Sequence, residues 1–509
     1  MLAGLAAAGC TPDAAPLQGG WVGTHPERGH RLRGELPAGE GPLKKADVVI
    51  VGAGIAGLAA ARALAGRGVD VAVLDLEDQA GGNSRGHRVA GLPCPLGAHY
   101  LPLPGPDAHE VQQLLAELGL SRQVLGRTEW DERHLCHSPQ ERLFIDGEWH
   151  EGLLPPAEHG TTREQYRRFS ALVSQAQRNA GFAMPTRRAR WTATHAELDA
   201  QTFAAWLDRA ALTDTRLRWY LDYCCRDDFG ANADGVSAWA GLHYFASRHG
   251  FHAPGDEAGE REPVLTWAEG NGWLSARLAE PLRERLHLGR AVLRVTEGKH
   301  GVELLAWNEA TGAPERWQAR AVVMATPLFI ASRLLAAPPD ALRQAAGQLR
   351  YAPWLTANLA LREPLLARPG APPAWDNVRY GTTALGYVNA RHQSLNPTPR
   401  APLLTAYFAL PTAQRGELLK QPWQHWAKVV IDELAQTHPD LPGKIERIDL
   451  CRFGHAMSIP TPGLRGLTAL AALNEARGRV VFAHSDLAGY SVFEEAYTAG
   501  VGAAARVRL

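Results

Sequence analysis

This sequence of 509 residues lacks a cysteine framework, a run long enough to cross a membrane and an excess of charge. Its six cysteines, Cys10, Cys94, Cys136, Cys224, Cys225 and Cys451, include no Cys-x-x-Cys pair, and so few in so long a chain exclude a disulfide-stapled scaffold. His134, Cys136 and His137 form the one close Cys/His cluster. Without a second ligand pair at zinc spacing, it predicts chance proximity and no metal site. No apolar run reaches the roughly 20 residues of a spanning helix. The 53 Lys and Arg match the 53 Asp and Glu, so no global field draws in nucleic acid. Within that balance lysine is scarce: Lys44, Lys45, Lys299, Lys420, Lys428 and Lys444 are all there are, and arginine supplies the rest. Hydrophobic and charged contents of 45% and 21% exclude a disordered chain, and the length asks for two or more domains.

The apolar residues 1–10 read as the tail of a secretory signal ending in small residues. Ala8-Gly9-Cys10 resembles a bacterial lipoprotein cleavage site, at which Cys10 would carry a lipid anchor, although the charged region that precedes such signals is missing. The expectation is an exported, periplasmic or membrane-anchored lipoprotein. The other reading is a cytoplasmic protein with an irregular Ala/Gly/Pro-rich N-terminus.

Strong periodicity begins at Asp47. Val48-Val-Ile-Val51 has the continuous apolar character of a buried parallel strand. A glycine-rich turn follows, then an Ala-rich helix over 58–64 and a second strand over 69–74, which together make a βαβ unit. Residues 106–263 read as mostly helical with long loops, with helical spacing over 107–118 and 203–225. Strand character returns at 286–296, 302–307 and 319–327; prolines mark loops at 364–373 and 397–402. A strand over 479–483 leads into a helix from about Val492. The pattern predicts an α/β fold: a Rossmann-like dinucleotide domain assembled from discontinuous segments, with an inserted α+β substrate domain. The nucleotide domain takes 46–105, 264–335 and 456–509. The substrate domain takes 106–263 and 336–455, and 1–45 is a lead-in carrying the export-signal remnant.

Gly52-Ala-Gly54-Ile55-Ala56-Gly57 follows a strand and opens a helix. Gly52 suits the tight turn, Gly54 the close approach of backbone to a pyrophosphate, and Gly57 the packing of helix on strand. The helix N-terminus offers free N–H groups to the phosphates. Asp75 ends the second strand, where a carboxylate can accept from ribose hydroxyls.

The continuation, Asp75-Leu-Glu-Asp-Gln-Ala-Gly81-Gly82-Asn83, resembles the second nucleotide motif of the flavin-containing amine oxidase superfamily, whose members range from amine oxidases to phytoene-desaturase-like enzymes. Pro95-Leu-Gly97-Ala98-His99-Tyr100 resembles its next element, a turn along the isoalloxazine. Ala291-Val292-Leu293 and Ala325-Thr326-Pro327 resemble its strand beside the adenine and its strand-end turn beside the nucleotide. The stretch from Gly478 to Asp486, with Glu494-Glu-Ala-Tyr-Thr-Ala-Gly500, resembles its closing signature. The resemblance implies FAD. It gives Asp486 the carboxylate position near the ribityl–pyrophosphate region, and Val492 the helix start that faces the flavin pyrimidine. Asn83 stands where the family has Arg, with Arg85 a candidate for the missing charge, and His484 replaces a usual Gly.

The resemblance also implies oxidation of an organic substrate, an amine-like C–N bond, by hydride transfer to flavin N5. No second Gly-x-Gly-x-x-Gly follows a strand, so no NAD(P)H site is expected, and the flavin would be reoxidised by dioxygen or by a quinone or other carrier. His99, Tyr100 and Tyr490 are the candidates to line the flavin. From the inserted domain Trp239, His243 and Tyr244 recur, the first two at helical spacing so that one face could carry them, and Asp227 and Asp228 could attract an ammonium, though core packing and a solvated cap account for these groups as well. Amine oxidases of the superfamily generally place a Lys near flavin N5; here Thr356 takes that place. Two alternatives stay open: an isoprenoid- or porphyrinogen-type FAD dehydrogenase or desaturase, and a catalytically idle flavoprotein that acts as a binding partner.

Overall fold

The computed structural model describes residues 17–37, 41–157, 159–248, 250–253, 263–394 and 401–509. Cys10 and the segment before it lie outside the described residues. The apolar run at 48–51 is the end of a longer strand, Leu43–Val51, and all four residues are buried. A strand apolar on both faces demands cover on both. Val48 and Ile50 pack with the helix Ile55–Ala65, while Val49 and Val51 pack with Leu328, Leu342 and Leu470 on the opposite side. The sheet runs Leu286–His287, Val71–Leu74, Leu43–Val51, Ala313–Met324, Gly301–Asn308, Arg290–Gly298, and Val480–Phe482 pairs with the end of Ala313–Met324. Ala313–Met324 is the fork. Its first part pairs antiparallel with Gly301–Asn308, and its last three residues pair parallel with Val480–Phe482. One strand thereby joins three distant chain segments into one nucleotide domain.

An eight-stranded sheet runs Gln18–Trp21, Ile445–Ile459, Arg350–Leu361, Leu403–Ala409, Tyr387–Asn389, Asp376–Arg379, Glu141–Ile145 and Glu148–Glu151. Strand alternation gives it two unlike faces. Leu355, Ala357 and Leu359 pack with Trp426 and Val430 of the helix Trp423–Ala435. On the other face, Asn358 donates to Pro95 O (3.0 Å) and accepts from Thr405 Oγ1 (2.7 Å), while Thr356 lines a cleft between the two sheets. A layer built from Gly160–Ala180, Thr215–Phe229 and Ala238–Ala246, centred on Phe169, Phe203 and Phe245, packs on this same face with Tyr407, Ala409, Val378 and Val388.

Three expectations change in detail. The nucleotide helix begins at Ile55 rather than Leu58, directly after Gly54. The helical stretch at 203–225 is two helices, Phe203–Arg209 and Thr215–Phe229, because Asp214 caps the second by accepting from the N–H groups of Arg216 and Leu217. Two hairpins, Ser121–Val124 with Arg127–Trp130 and Glu141–Ile145 with Glu148–Glu151, separate the helix His109–Glu117 from the later helices of the insertion. Asp146 and Gly147 both have positive φ at the second turn, the pair that a two-residue hairpin demands.

The C-terminal helix Phe493–Arg506 crosses Ile55–Ala65 at Gly500, where a Cβ would lie 2.2 Å from Ala56 O and 2.8 Å from Ala59 Cβ. Gly500→Val should therefore force the two helices apart at a cost of about 1–3 kcal/mol, the usual range for overpacking. A lower urea midpoint of the variant is the expected result; an unchanged midpoint would show that the crossing has slack.

Candidate functional site

The cleft between the two sheets starts at the glycine-rich turn. Gly52 has φ +107°, and a Cβ there would meet Ala325 O at 2.5 Å; a Cβ on Gly57 would meet Gly52 O at 1.9 Å. Both glycines serve the packing of turn, helix and strand. Gly54 differs, since a Cβ on it meets only Gly82 Cα, at 3.9 Å, and would fill cleft space instead. Asp75 lines the cleft, but its carboxylate first fastens the turn, accepting from Ala53 N–H (2.6 Å) and Glu77 N–H (2.8 Å). Burial pushes its carboxyl above the usual range.

Of the residues expected to hold the cofactor, Gly52, Gly54, Ile55, Ala56, Asp75, Gly81, Gly82, Asn83, Gly97, Ala98, His99, Val292, Asp486 and Val492 line this one cleft. Gly57 does not, because it packs behind the turn. Asn83 carries no charge into the place of an arginine; its amide donates to Ala456 O (2.6 Å) on Ile445–Ile459 and so ties the two sheets together. Arg85 also lines the cleft, buried, donating to Gly82 O and Gly23 O. Val492 precedes the first turn of Phe493–Arg506, so the positive end of that helix faces the cleft.

Asp486 is fully buried. One oxygen accepts from Tyr351 OH (2.6 Å) and Leu328 N–H (2.9 Å). Burial alone would raise its pKa, but neighbouring His484 and these hydrogen bonds hold it below the ordinary value. Its other oxygen, Oδ1, lies 3.2 Å from His484 Nδ1, and Thr326 Oγ1 and Thr356 Oγ1 along the same cleft have no hydrogen-bond partner. Buried polar atoms left this way call for a ligand rich in hydroxyl and carbonyl groups. With the phosphate cradle at Gly54 and Gly82, the cleft fits a flavin dinucleotide.

At its far end the cleft adjoins a second cavity of about 710 Å³, and the two share His99, Tyr100, Asp227, Arg248 and Tyr407. His99 stacks on Tyr407 with ring centres 4.2 Å apart, and Tyr100 and Trp375 pack around it. Burial lowers the His99 pKa to about 3, so the imidazole is neutral. Tyr100 OH donates to Asp227 Oδ2 at 3.1 Å. Burial, then the charge of Asp228, pushes the Asp227 carboxyl up to about 7. Asp228 pairs with Arg248 at 3.4 Å. Deeper in the cavity, burial and the neighbouring carboxylates Glu141 and Asp227 drive Asp376 well above the usual range.

Tyr490 is placed elsewhere. It is fully buried among Phe229, Trp239 and His243, and its hydroxyl donates to Glu495 Oε1 (3.0 Å), while the next residues, Ser491 and Val492, line the cleft. Trp239 and His243 are likewise core, with His243 Nε2 against Ala183 O (3.1 Å). Tyr407, Trp375 and Asp376 went unnoticed in the sequence, and Glu494, part of the closing signature, was given no role of its own. Tyr407 was within reach, as the partner of Thr356 in the strand register; Trp375 and Asp376 sit in no motif. Lysine lines neither cleft nor cavity among the described residues, and Thr356 occupies the wall. The described residues also hold no His, Cys, Asp or Glu group able to bind a metal.

A family model for flavin-containing amine oxidoreductases matches residues 55–508. Human flavin-containing amine oxidase B is 26% identical over 305 residues, 58% of this chain and 53% of that protein. The L-amino acid dehydrogenase of a Synechocystis strain is 24% identical over 313 residues, 58% of this chain and 59% of that protein. The matched region thus spans little more than half the length of these relatives. A solved structure of putrescine oxidase bound to putrescine shares the fold, with a TM-score of 0.68 and 20% identity across 91% of this chain and 99% of that one. Cleft, motifs and match agree: the chain belongs to the flavin-containing amine oxidoreductase family.

Proposed function

We propose that the chain is an FAD-dependent oxidoreductase that oxidises the C–N bond of an amine. The observation that carries this reading is Asp227, a carboxylate at the boundary where the cofactor cleft meets an aromatic cavity. Bound in the cleft, FAD supplies a hydride acceptor at flavin N5. The chain's residues bring the substrate to that place and adjust its charge. An amine arrives as an ammonium ion, which a cavity walled by Tyr223, Tyr244 and Trp375 receives only with a compensating charge or a cation–π face. Asp227 provides the charge. It can also take the ammonium proton, freeing the nitrogen lone pair that stabilises the carbon as its hydride leaves. Neutral His99 adds no opposing charge, and its stack on Tyr407 keeps water from the junction.

A long apolar polyene would lay hydrocarbon against the carboxyl groups of Asp227 and Asp376 and supply no compensating charge, which argues against the isoprenoid-type alternative. The electron acceptor is a separate matter. With Thr356 in the wall and no lysine, a quinone or other carrier is proposed alongside dioxygen.

Anaerobic mixing of the holoprotein with amines, amino acids, porphyrinogens and polyenes tests the reading. Bleaching of the flavin by amines is expected; bleaching by polyenes or porphyrinogens alone would move the chain to the dehydrogenase reading, and no bleaching by any class to an idle flavoprotein. Asp227→Asn should lower kcat/KM for amines about 100-fold, the lower end of general-base effects. In the wild type kcat/KM should fall as pH drops through about 7, because the raised carboxyl then protonates and loses its charge. The variant should lack that acidic limb, and an unaltered profile would remove Asp227 from the reaction. Gly54→Val should fold, since the glycine has φ −69° and an open Cβ direction, yet purify without flavin. Flavin at wild-type stoichiometry would overturn the cradle.

A further inference from the structure

The segment 17–37 stands ahead of the first nucleotide motif, and the family match begins only at residue 55. It is folded against both halves of the molecule. Gln18–Trp21 adds an edge strand to the substrate sheet, parallel to Ile445–Ile459. The chain then crosses the cleft mouth, where Arg85 donates to Gly23 O. The short helix Pro26–His30 lands on the loop after Asp75: His25 pairs with Glu77 at 2.7 Å, and Arg28 donates to Leu76 O (2.8 Å) and to both oxygens of Asp78 (2.7 and 3.0 Å). Arg31 pairs with Glu309 at both oxygens, 3.0 Å each, on the hairpin side of the nucleotide sheet. Thr24, Arg28, Gly29 and Leu32 are part of the cleft wall itself, beside Glu77 and Val292.

We propose that residues 17–37 are a built wall of the FAD site, a strap that joins the two sheets across the adenosine end of the cleft and retains the cofactor. This rests on the reading of the cleft as an FAD site. Contact with the loop that follows the strand-end carboxylate Asp75 locates the helical part of the strap at the adenosine end. One anchor is the edge-strand pairing, and each of the others is a partly exposed ion pair of modest strength. Their value lies in number and placement, since one anchor is on the substrate sheet and three are on the nucleotide domain. Release of the dinucleotide requires several of them to part together, so the strap acts mainly on the dissociation rate. Arg28 is a positioning residue: its guanidinium is held by Asp78 and Leu76 O while the side chain forms wall.

The test uses full-length holoprotein and its flavin-free form, with FAD and ADP as probes. ADP reports the adenosine end alone. Arg28→Ala should raise the Kd of both FAD and ADP about tenfold and speed the release of FAD fluorescence on dilution, with the melting temperature of the flavin-free protein unchanged. Arg31→Ala, which removes an anchor without touching the wall, should speed release and leave ADP affinity near wild type. Exchange of the pair, Arg28→Asp with Asp78→Arg, should restore retention in part. FAD affinity and release rate equal to wild type in both single variants would overturn the strap, as would weakened FAD binding with ADP binding untouched in Arg28→Ala. If the wild-type chain takes up no FAD, the cofactor reading itself fails, and that outcome is distinct from either of these.

Discussion

Polar atoms without partners on the facing walls of one cleft are the constraint on which the rest of this structure depends. Thr326 Oγ1 stands on the nucleotide side and Thr356 Oγ1 on the substrate side, both buried and without a hydrogen-bond partner in the protein, while Asp486 Oδ1 has only the neighbouring His484 Nδ1, at 3.2 Å. Each such atom costs about 1–3 kcal/mol while it stays unpaired. A sheet pair that buries such atoms on facing walls gains stability from a ligand that fills the space between and pairs them. The cofactor of this family is therefore a structural joint as well as a reagent, and its binding free energy adds to the cohesion of the two halves.

The same carboxylate explains how a domain cut into three pieces holds together. Asp486 follows the strand Val480–Phe482, accepts from Leu328 N–H at the start of a helix that follows Ala313–Met324, and accepts from Tyr351 on the first strand of the second substrate segment. Three connections of the chain thus converge on one buried side chain. The close crossing at Gly500 brings the last helix to the same place, so that the positive helix end and the carboxylate are set by one packing arrangement.

How much of this was legible depended on whether a residue's role is local. Glycines at 52, 54 and 57 announce a turn that only they can make, and the βαβ unit, its strand ends and the cleft-lining residues from Gly81 to His99 follow from short-range pattern. Asn83 and Arg85 also lie where the motif puts them, although what they bind is backbone: Ala456 O for one, Gly82 O and Gly23 O for the other. Tyr490 misled because proximity in sequence to Asp486 says nothing of direction; the turn at Gly489, in a left-handed conformation, points the ring into the helical core. Asp376 and Trp375 belong to a short strand whose neighbours come from residues 141–145 and 387–389, so their place at the cavity is purely tertiary. The lead-in 17–37 looked featureless for a related reason: its edge strand is four residues long and borrows its register from residues more than 400 positions away.

Charge within the site completes the argument about the scarce lysines. Asp227, Asp228, Asp376 and Glu141 crowd one region, with Arg248 the cation paired to Asp228, and like charges so close cannot all ionise. The raised pKa values of Asp227, Asp228 and Asp376 mean that the cavity relieves repulsion by holding protons. A cation entering it reverses the balance, drawing Asp227 back toward the ordinary carboxylate range and into its charged form. A fixed lysine in the wall would have neutralised the same field beforehand and left less of it for a ligand. At Glu494, which feels the charges of the same Arg248 and Asp228, the consequence is different. Glu494 sits in the first turn of the last helix, where an ionised carboxylate would cancel the positive helix end, but burial pushes its carboxyl up to about 7. Held neutral in part, it leaves the helix end free to stabilise negative charge on whatever the cleft binds.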